Sequence, residues 1–177
     1  MADLTYTQRG VAAETMPQAV GGLASYLSTM VELPPVRIFK YPEALAAALG
    51  KEGAPNVIGF SNYIWNSSLS LGFATRIREH FPTTVIVMGG PHYPLHREDQ
   101  ERFWAERLAG VVDFYVEGEA EVAFAELVTM LGNGHGDDVQ SRIPGIHSID
   151  AHGCLHRPPP GRRLADLSEV PSAYLVV

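Results

Sequence analysis

This sequence predicts an α/β fold, a doubly wound parallel sheet in three layers. Three observations carry that reading. Short apolar runs alternate with amphipathic stretches along most of the chain, the order expected of strands and covering helices. One run, Val85-Ile86-Val87-Met88, is wholly apolar, as a central parallel strand buried on both faces should be. The connections are short, and short crossovers of this kind are right-handed.

Residues 2–6 are a weak first strand. Pro17 suits a first helical position, and Val20, Leu23, Leu27 and Met30 recur at helical spacing, so 17–30 is a helix. Val36-Arg37-Ile38-Phe39-Lys40 alternates and is rich in strand formers, the second strand. A short helix over 42–49 stops at Gly50. Val57-Ile58-Gly59-Phe60-Ser61 is the third strand. Asn66 or Ser67 can cap the helix that runs to about His80, with Leu69, Phe73, Ile77 and Phe81 on one face. The fourth strand, 85–88, ends sharply at Gly89-Gly90-Pro91. A helix over 97–109 offers Phe103, Trp104 and Leu108 as apolar contacts. Asp113-Phe114-Tyr115-Val116 is the fifth strand, and a helix over 119–131 closes the alternating part. Beyond it the composition turns polar and glycine-rich. Two runs, 146–149 and 154–157, flank Asp150-Ala151-His152-Gly153 as a β-hairpin. Pro158-Pro159-Pro160-Gly161 then stiffens the chain. The expected organisation is thus a Rossmann-like domain over 1–134 with the flavodoxin-like strand order 2-1-3-4-5, a hairpin over 135–160 and a linker over 161–177.

Composition narrows the function. The chain has 177 residues, enough for one domain with its own core. Thirteen Lys+Arg against twenty Asp+Glu leave a formal charge of −7, which speaks against nucleic acid as a partner. The single cysteine, Cys154, excludes an intrachain disulfide and a multi-cysteine metal or iron–sulfur site within these residues. No apolar run approaches the roughly 18–20 residues of a membrane span. The start, Met1-Ala2-Asp3, lacks a signal-peptide profile, so no membrane association and a cytoplasmic location are expected.

In such sheets ligands bind beyond the carboxyl ends of the strands, where the strand order reverses. The residues leaving those ends are Thr5, Tyr6 and Thr7; Ser61, Asn62 and Tyr63; Gly89, Gly90, Pro91 and His92; and Glu117 and Gly118. These are the candidate binding residues. Paired glycines let a ligand approach the backbone or permit positive φ, though a tight strand exit alone would also use them. No dinucleotide fingerprint, P-loop or nucleophile elbow is present. Glu119 and Glu121 read as dipole partners of the last helix. Glu117 is the exception that would face the crevice. His92 would meet a ligand edge or pack at the strand exit. Tyr63 and Trp65 would wall a flat ligand or pack at an interface. His147, His152, Cys154 and His156 have no zinc-like spacing and read as a surface hairpin.

Three stretches together carry a family resemblance. They are Ile58-Gly59-Phe60-Ser61-Asn62-Tyr63-Ile64-Trp65-Asn66, Val87-Met88-Gly89-Gly90-Pro91-His92 and Asp113-Phe114-Tyr115-Val116-Glu117-Gly118-Glu119-Ala120-Glu121. The chain resembles the N-terminal cobalamin-binding domain of cobalamin-dependent radical S-adenosylmethionine (SAM) enzymes. The family pattern is Asp-x-His-x-x-Gly after the first strand, Ser-x-Leu after the third and Gly-Gly after the fourth. The resemblance implies that Ser61 meets the nucleotide tail of cobalamin while Gly89 and Gly90 make room for it. Tyr63 stands in place of the leucine. Asp3-Leu4-Thr5-Tyr6-Thr7-Gln8 has neither the histidine nor the glycine, so no imidazole from that loop would ligate cobalt. A branched side chain at Gly90 is then expected to block the tail with little loss of folding. The Cys-x3-Cys-x2-Cys motif of the radical SAM barrel is absent.

SAM and an iron–sulfur cluster are therefore expected only in a full-length protein, whose catalytic barrel would be the partner of this fragment. The fragment itself would be no enzyme, with a homodimer of it conceivable through its uncovered aromatic residues. Two other readings stand beside this one. One is a degenerate Rossmann-like interaction or substrate-positioning module without cobalamin. The other is a flavodoxin-like flavin-binding domain, for which Thr5-Tyr6-Thr7 would be a thin phosphate loop.

Overall fold

The computed structural model describes residues 1–6, 17–30, 36–134 and 143–176. The strands are β1 (Val57–Ser61), β2 (Val85–Gly89), β3 (Phe114–Val116), β4 (Ile146–Ile149) and β5 (Leu155–His156). The α-helices are α1 (Gln18–Met30), α2 (Pro42–Glu52), α3 (Ser67–His80), α4 (Arg97–Phe103), α5 (Glu121–Gly132) and α6 (Ala173–Val176). The chain is α/β with a mixed sheet, ordered β1-β2-β3-β4-β5. β1, β2 and β3 run parallel, whereas β4 runs antiparallel to β3 and β5 antiparallel to β4. The hairpin therefore extends the sheet: Tyr115 pairs with His147 and Val116 with Ile146. His147, expected on a surface hairpin, is fully buried for that reason.

The two strands expected first along the chain are not regular. Ala2 instead forms isolated parallel bridges to Phe39 on one side and Phe60 on the other. Ala2 N–H donates to Gly59 O at 2.8 Å, and Asp3 N–H donates to Phe39 O at 3.0 Å. Five residues of weak strand character cannot sustain a ladder, yet these bonds bring Asp3 beside the end of β1.

β2 is the buried centre, with Ile86, Val87 and Met88 all at most 2% exposed. One apolar cluster lies between the sheet and α2, α3 and α4. A second lies between the sheet and α1 and α5. On α3 the residues turned inward are Ser67, Ser70, Ala74 and Ile77. Small side chains there let the helix approach the sheet, and Ser70 Oγ donates to Ser61 O at 2.9 Å. Of the expected stripe only Ile77 is buried. Leu69, Phe73 and Phe81 are partly buried and line a groove with Ala46 and Leu49 of α2.

The helix expected over 97–109 is α-helical only to Phe103 and continues as a π-helical turn, Trp104–Leu108. Such widened turns are rare and local; here both Trp104 and Leu108 are buried. Beyond β5 the chain packs back on α1 and the α1–α5 cluster. Ser25 Oγ of α1 donates to Pro171 O at 2.7 Å, Leu164 and Val170 pack on the α1–α5 cluster, and Arg163 donates to Glu119 at 2.5 and 2.8 Å.

Candidate functional site

The carboxyl ends of β1, β2 and β3 open into a cavity of about 330 Å³ between the sheet, α1 and the start of α5. Gly59, Val87 and Val116 come from the strands, Val20 and Leu23 from α1, and Phe124 from α5. A cavity of this size sits at the lower end of the roughly 300–1,000 Å³ range of ligand sites.

Ser61, Tyr63, Gly89, Gly90, Pro91 and Gly118 all line this cavity. Asn62 is fully buried and does not line it. It stitches the β1 and β2 exits together. Its backbone N–H donates to Gly89 O at 2.7 Å and its O accepts from His92 N–H at 3.0 Å. Its Nδ2 donates to His92 O and to the Tyr115 hydroxyl, both at 2.9 Å. Tyr115 in turn donates to Gly90 O at 2.8 Å. Burial and, to a lesser extent, its neighbour Tyr93 push the Tyr115 phenol well above its ordinary pKa, against the opposing hydrogen bond from Asn62, so it stays a neutral donor.

The two glycines play different parts. Gly90 has φ +132°, and a Cβ there would lie 2.7 Å from Asn62 O and 3.0 Å from Asn62 N. Only glycine fits that conformation and that approach. The expectation that a branched residue at Gly90 would spare folding is overturned: the clash is with backbone. Gly89 is different, since a Cβ there would meet Val116 at an ordinary 3.5 Å. Its bareness serves the space rather than the turn.

Ser61 belongs to a polar triad that the sequence did not reveal. Its Oγ donates to Asp3 Oδ1 at 2.5 Å and accepts from Asn66 Nδ2 at 2.8 Å. Asn66 Nδ2 also reaches Asp3 Oδ1 at 3.1 Å, and its Oδ1 accepts from Tyr63 N–H at 2.8 Å. Asn66 occupies the position before α3 but makes no side-chain cap bond to the helix. The only available signal was Asp3, the first residue of a motif whose other members are missing. Burial, and then the nearby Asp3 charge, raise the Tyr63 phenol above its ordinary pKa. Tyr63 stacks on Trp65 with centroids 4.5 Å apart and planes 9° off parallel. Trp65 is 63% exposed and Ile64 76%, so a flat apolar surface lies one residue beyond the cavity wall.

Besides Asn62, four candidates do not line the cavity, and Thr7 lies outside the described residues. The Thr5 backbone N–H donates to Lys40 O at 3.1 Å. Tyr6 lines the groove between α2 and α3 instead. His92 lies edge-on to Phe103, with centroids 6.4 Å apart. Glu117, expected to face the crevice, turns the other way. Its Oε1 accepts from Gln100 Nε2 at 3.0 Å, and its Oε2 lies 3.2 Å from His147 Nε2, off the line of a hydrogen bond. Behind it, Trp104 Nε1 donates to the Tyr93 hydroxyl at 2.8 Å, and that hydroxyl lies 2.9 Å from His147 Nδ1. Tyr93 stacks on Tyr115 at 4.0 Å. Burial depresses the His147 pKa, while Glu117 opposes that shift. Among the described residues no group of three or more His, Cys, Asp or Glu side chains could hold a metal ion, and no helix is long and apolar enough to cross a membrane.

No model of a known protein family matches the chain. Two curated proteins are similar to it. The cobalamin-dependent radical SAM methyltransferase TokK of Streptomyces tokunonensis is 29% identical over 165 residues, covering 91% of this chain and 23% of TokK. The 2-(S-pantetheinyl)-carbapenam-3-carboxylate methyltransferase of Streptantibioticus cattleyicolor is 37% identical over 123 residues, covering 69% of this chain and 17% of that enzyme. The chain thus spans less than a quarter of either relative, and its relatives are methyltransferases, one of them cobalamin-dependent and of the radical SAM class.

Proposed function

We propose that these residues form a cobalamin-binding domain belonging to a radical SAM enzyme, most plainly a methyltransferase. The observation that carries the proposal is the convergence of Ser61, Gly89 and Gly90 on one apolar cavity at the carboxyl edge of the sheet. The parallel bridges of Ala2 to Phe39 and Phe60 support a sheet order in which the first strand sits between the second and third, so that this edge is where the order reverses. The residues present fit the group. The glycine backbone and the apolar walls suit the flat base of a nucleotide tail. The exposed Trp65 ring, stacked on the partly buried Tyr63, suits a flat macrocycle held outside. No histidine lines the cavity among the described residues. When bound, cobalamin supplies a cobalt centre able to carry a methyl group; the residues of this domain bind and orient it. A catalytic barrel with its own cluster and SAM would lie elsewhere in a longer protein, packed against this edge.

A flavin reading is less well supported. Thr5 and Tyr6, the described part of the phosphate loop it would need, do not line the cavity.

Absorbance titration with hydroxocobalamin tests the proposal, comparing the chain with Gly89→Val, which fills the cavity. Saturable binding that weakens tenfold or more in a folded variant is expected. No binding by the chain, or binding indifferent to Gly89→Val, would overturn it.

A further inference from the structure

We propose that residues 158–176 form a strap that seats the α1 wall of the cavity, so that occupancy of the cavity and seating of the strap are coupled. This rests on the cobalamin reading above and adds a regulation to it. No strap residue lines the cavity; α1 lies between the two. The helix presents Ala19, Val20 and Leu23 to the cavity. Its neighbouring face meets the strap. A Cβ at Gly22 would lie 3.9 Å from Val170 Cγ1, and Ser25 Oγ donates to Pro171 O at 2.7 Å.

Backbone fixes the start of the strap. Gly145 O accepts from Glu117 N–H at 2.9 Å beside the exit of β3, and Gly145 N–H donates to Pro159 O at 2.8 Å. A Cβ on Gly145 would lie 2.9 Å from Gly161 N, so two bare backbones meet there. Pro158-Pro159-Pro160 stiffens this anchor. Further along, the ties are made by side chains and differ in worth. Arg163 and Glu119 pair in the open, and an ion pair in water contributes little. Leu164 and Val170 are half-buried on the apolar cluster of α1 and α5, and the fully buried Ser25 has Pro171 O as its acceptor. When the strap lifts, α1 loses that apolar cover and that hydrogen bond together.

α1 is thus held from two sides, by α5 on one and by the strap and α6 on the other. A ligand that fills the cavity bears on Val20 and Leu23 and keeps the helix seated. A seated helix keeps the partners of Val170 and Pro171 in place. By linkage the effect is reciprocal: the strap raises ligand affinity by the same factor by which the ligand stabilises the strap. The strap has local order that reports its state. Asp166 Oδ1 accepts from Ser168 N–H at 2.8 Å, and Val170 N–H donates to Leu167 O at 3.1 Å, so these amides exchange with solvent only when the segment opens.

Hydrogen exchange and hydroxocobalamin titration of the whole chain test this, beside Val170→Asp, which sets a carboxylate against the apolar cluster. Without ligand, exchange along α1 is expected to accelerate several-fold in the variant, with α3 unchanged. With ligand, the Ser168 and Val170 amides of the unsubstituted chain are expected to slow, although they lie outside the cavity. Val170→Asp should weaken hydroxocobalamin binding about fivefold or more. Equal affinity in the variant, or strap amides indifferent to the corrinoid, would overturn the coupling while leaving the cobalamin reading intact. Acceleration of α1 and α3 alike would overturn it as well, by making the strap a general prop of the fold. No binding by the unsubstituted chain would overturn the cobalamin reading, and the coupling with it. Ser25→Ala removes one tie without adding a charge, and the same pattern is expected in it at smaller amplitude; α1 exchange and affinity both unchanged there would overturn Ser25 as a tie.

Discussion

The two edges of the parallel sheet are closed by different chemistry. At the amino edge, side chains do the closing. Asp113 Oδ2 accepts from Ile86 N–H at 2.7 Å and from Arg78 Nη2 at 2.6 Å. The Arg78 guanidinium also donates to Val111 O and, at 2.6 Å, to Pro82 O. Charged groups there saturate the ends of β2 and β3 and the end of α3. At the carboxyl edge the backbone takes part in the closing, beside neutral side chains. Gly90 folds onto Asn62 with φ +132°, Asn62 and Tyr115 pin the two exits together, and a cavity remains beside them. An edge sealed by side chains is finished as structure. An edge closed by a glycine turn and neutral side chains keeps bare strand ends beside a cavity, at the side of a parallel sheet where ligands bind.

Substitutions can break or sharpen this contrast. The largest effect is expected at the carboxyl edge, where Gly90→Leu forces a Cβ against Asn62 backbone. A loss of about 3 kcal/mol or more is expected in denaturant unfolding, whereas Gly89→Ala should cost under about 1 kcal/mol. Similar losses for the two would remove the distinction between turn and space. Next comes the amino edge. Arg78→Met should cost about 1–2 kcal/mol, since it strips a partly buried carboxylate and two carbonyls of a charged donor, and corrinoid titration should be unaltered. A shift in corrinoid affinity there would show that the two edges are coupled.

Smaller is the effect of Tyr115→Phe, which keeps the stack on Tyr93 and deletes one hydroxyl. About 1 kcal/mol of stability should be lost, with faster hydrogen exchange at the His92 amide that joins the two exits. Unchanged exchange would mean that Asn62 holds the exits alone.

The smallest effect is a pH dependence. Burial holds the folded-state pKa of His147 below its ordinary value of 6.5. The unfolded chain therefore takes up the proton first as the pH falls. The stabilisation is fully present above about pH 6.5 and is lost as the pH falls through the folded-state value. Denaturation midpoints between pH 5 and 8 should show this decline, and it should flatten in His147→Gln. A midpoint that rose on acidification would mean that the Glu117 charge outweighs the burial of His147.

The alternation of strands and helices was legible because it depends on local composition. Val85-Ile86-Val87-Met88 reads as a strand with both faces covered, and Gly89-Gly90 marks where it stops. The crevice at that edge is a consequence of the same pattern, since parallel strands bring their carboxyl ends to one side. What a strand exit does with its side chain is a different matter. Once the chain leaves the ladder, the two-residue alternation no longer applies. The direction of Glu117 was set by a neighbour thirty residues on, His147 in β4, and by Gln100 from α4. Tyr6 was drawn into the groove of α2 and α3, and the Ser61 proton was claimed by Asp3 from a strand too short to form a ladder. The residues after β5 read as a linker because no local pattern marks them; their contacts with α1 and α5 exist only once those helices are side by side. Local periodicity thus decides which elements form and which edge they leave open, whereas the hydrogen-bonding capacity of that edge depends on partners distant in sequence, which no window of neighbouring residues contains.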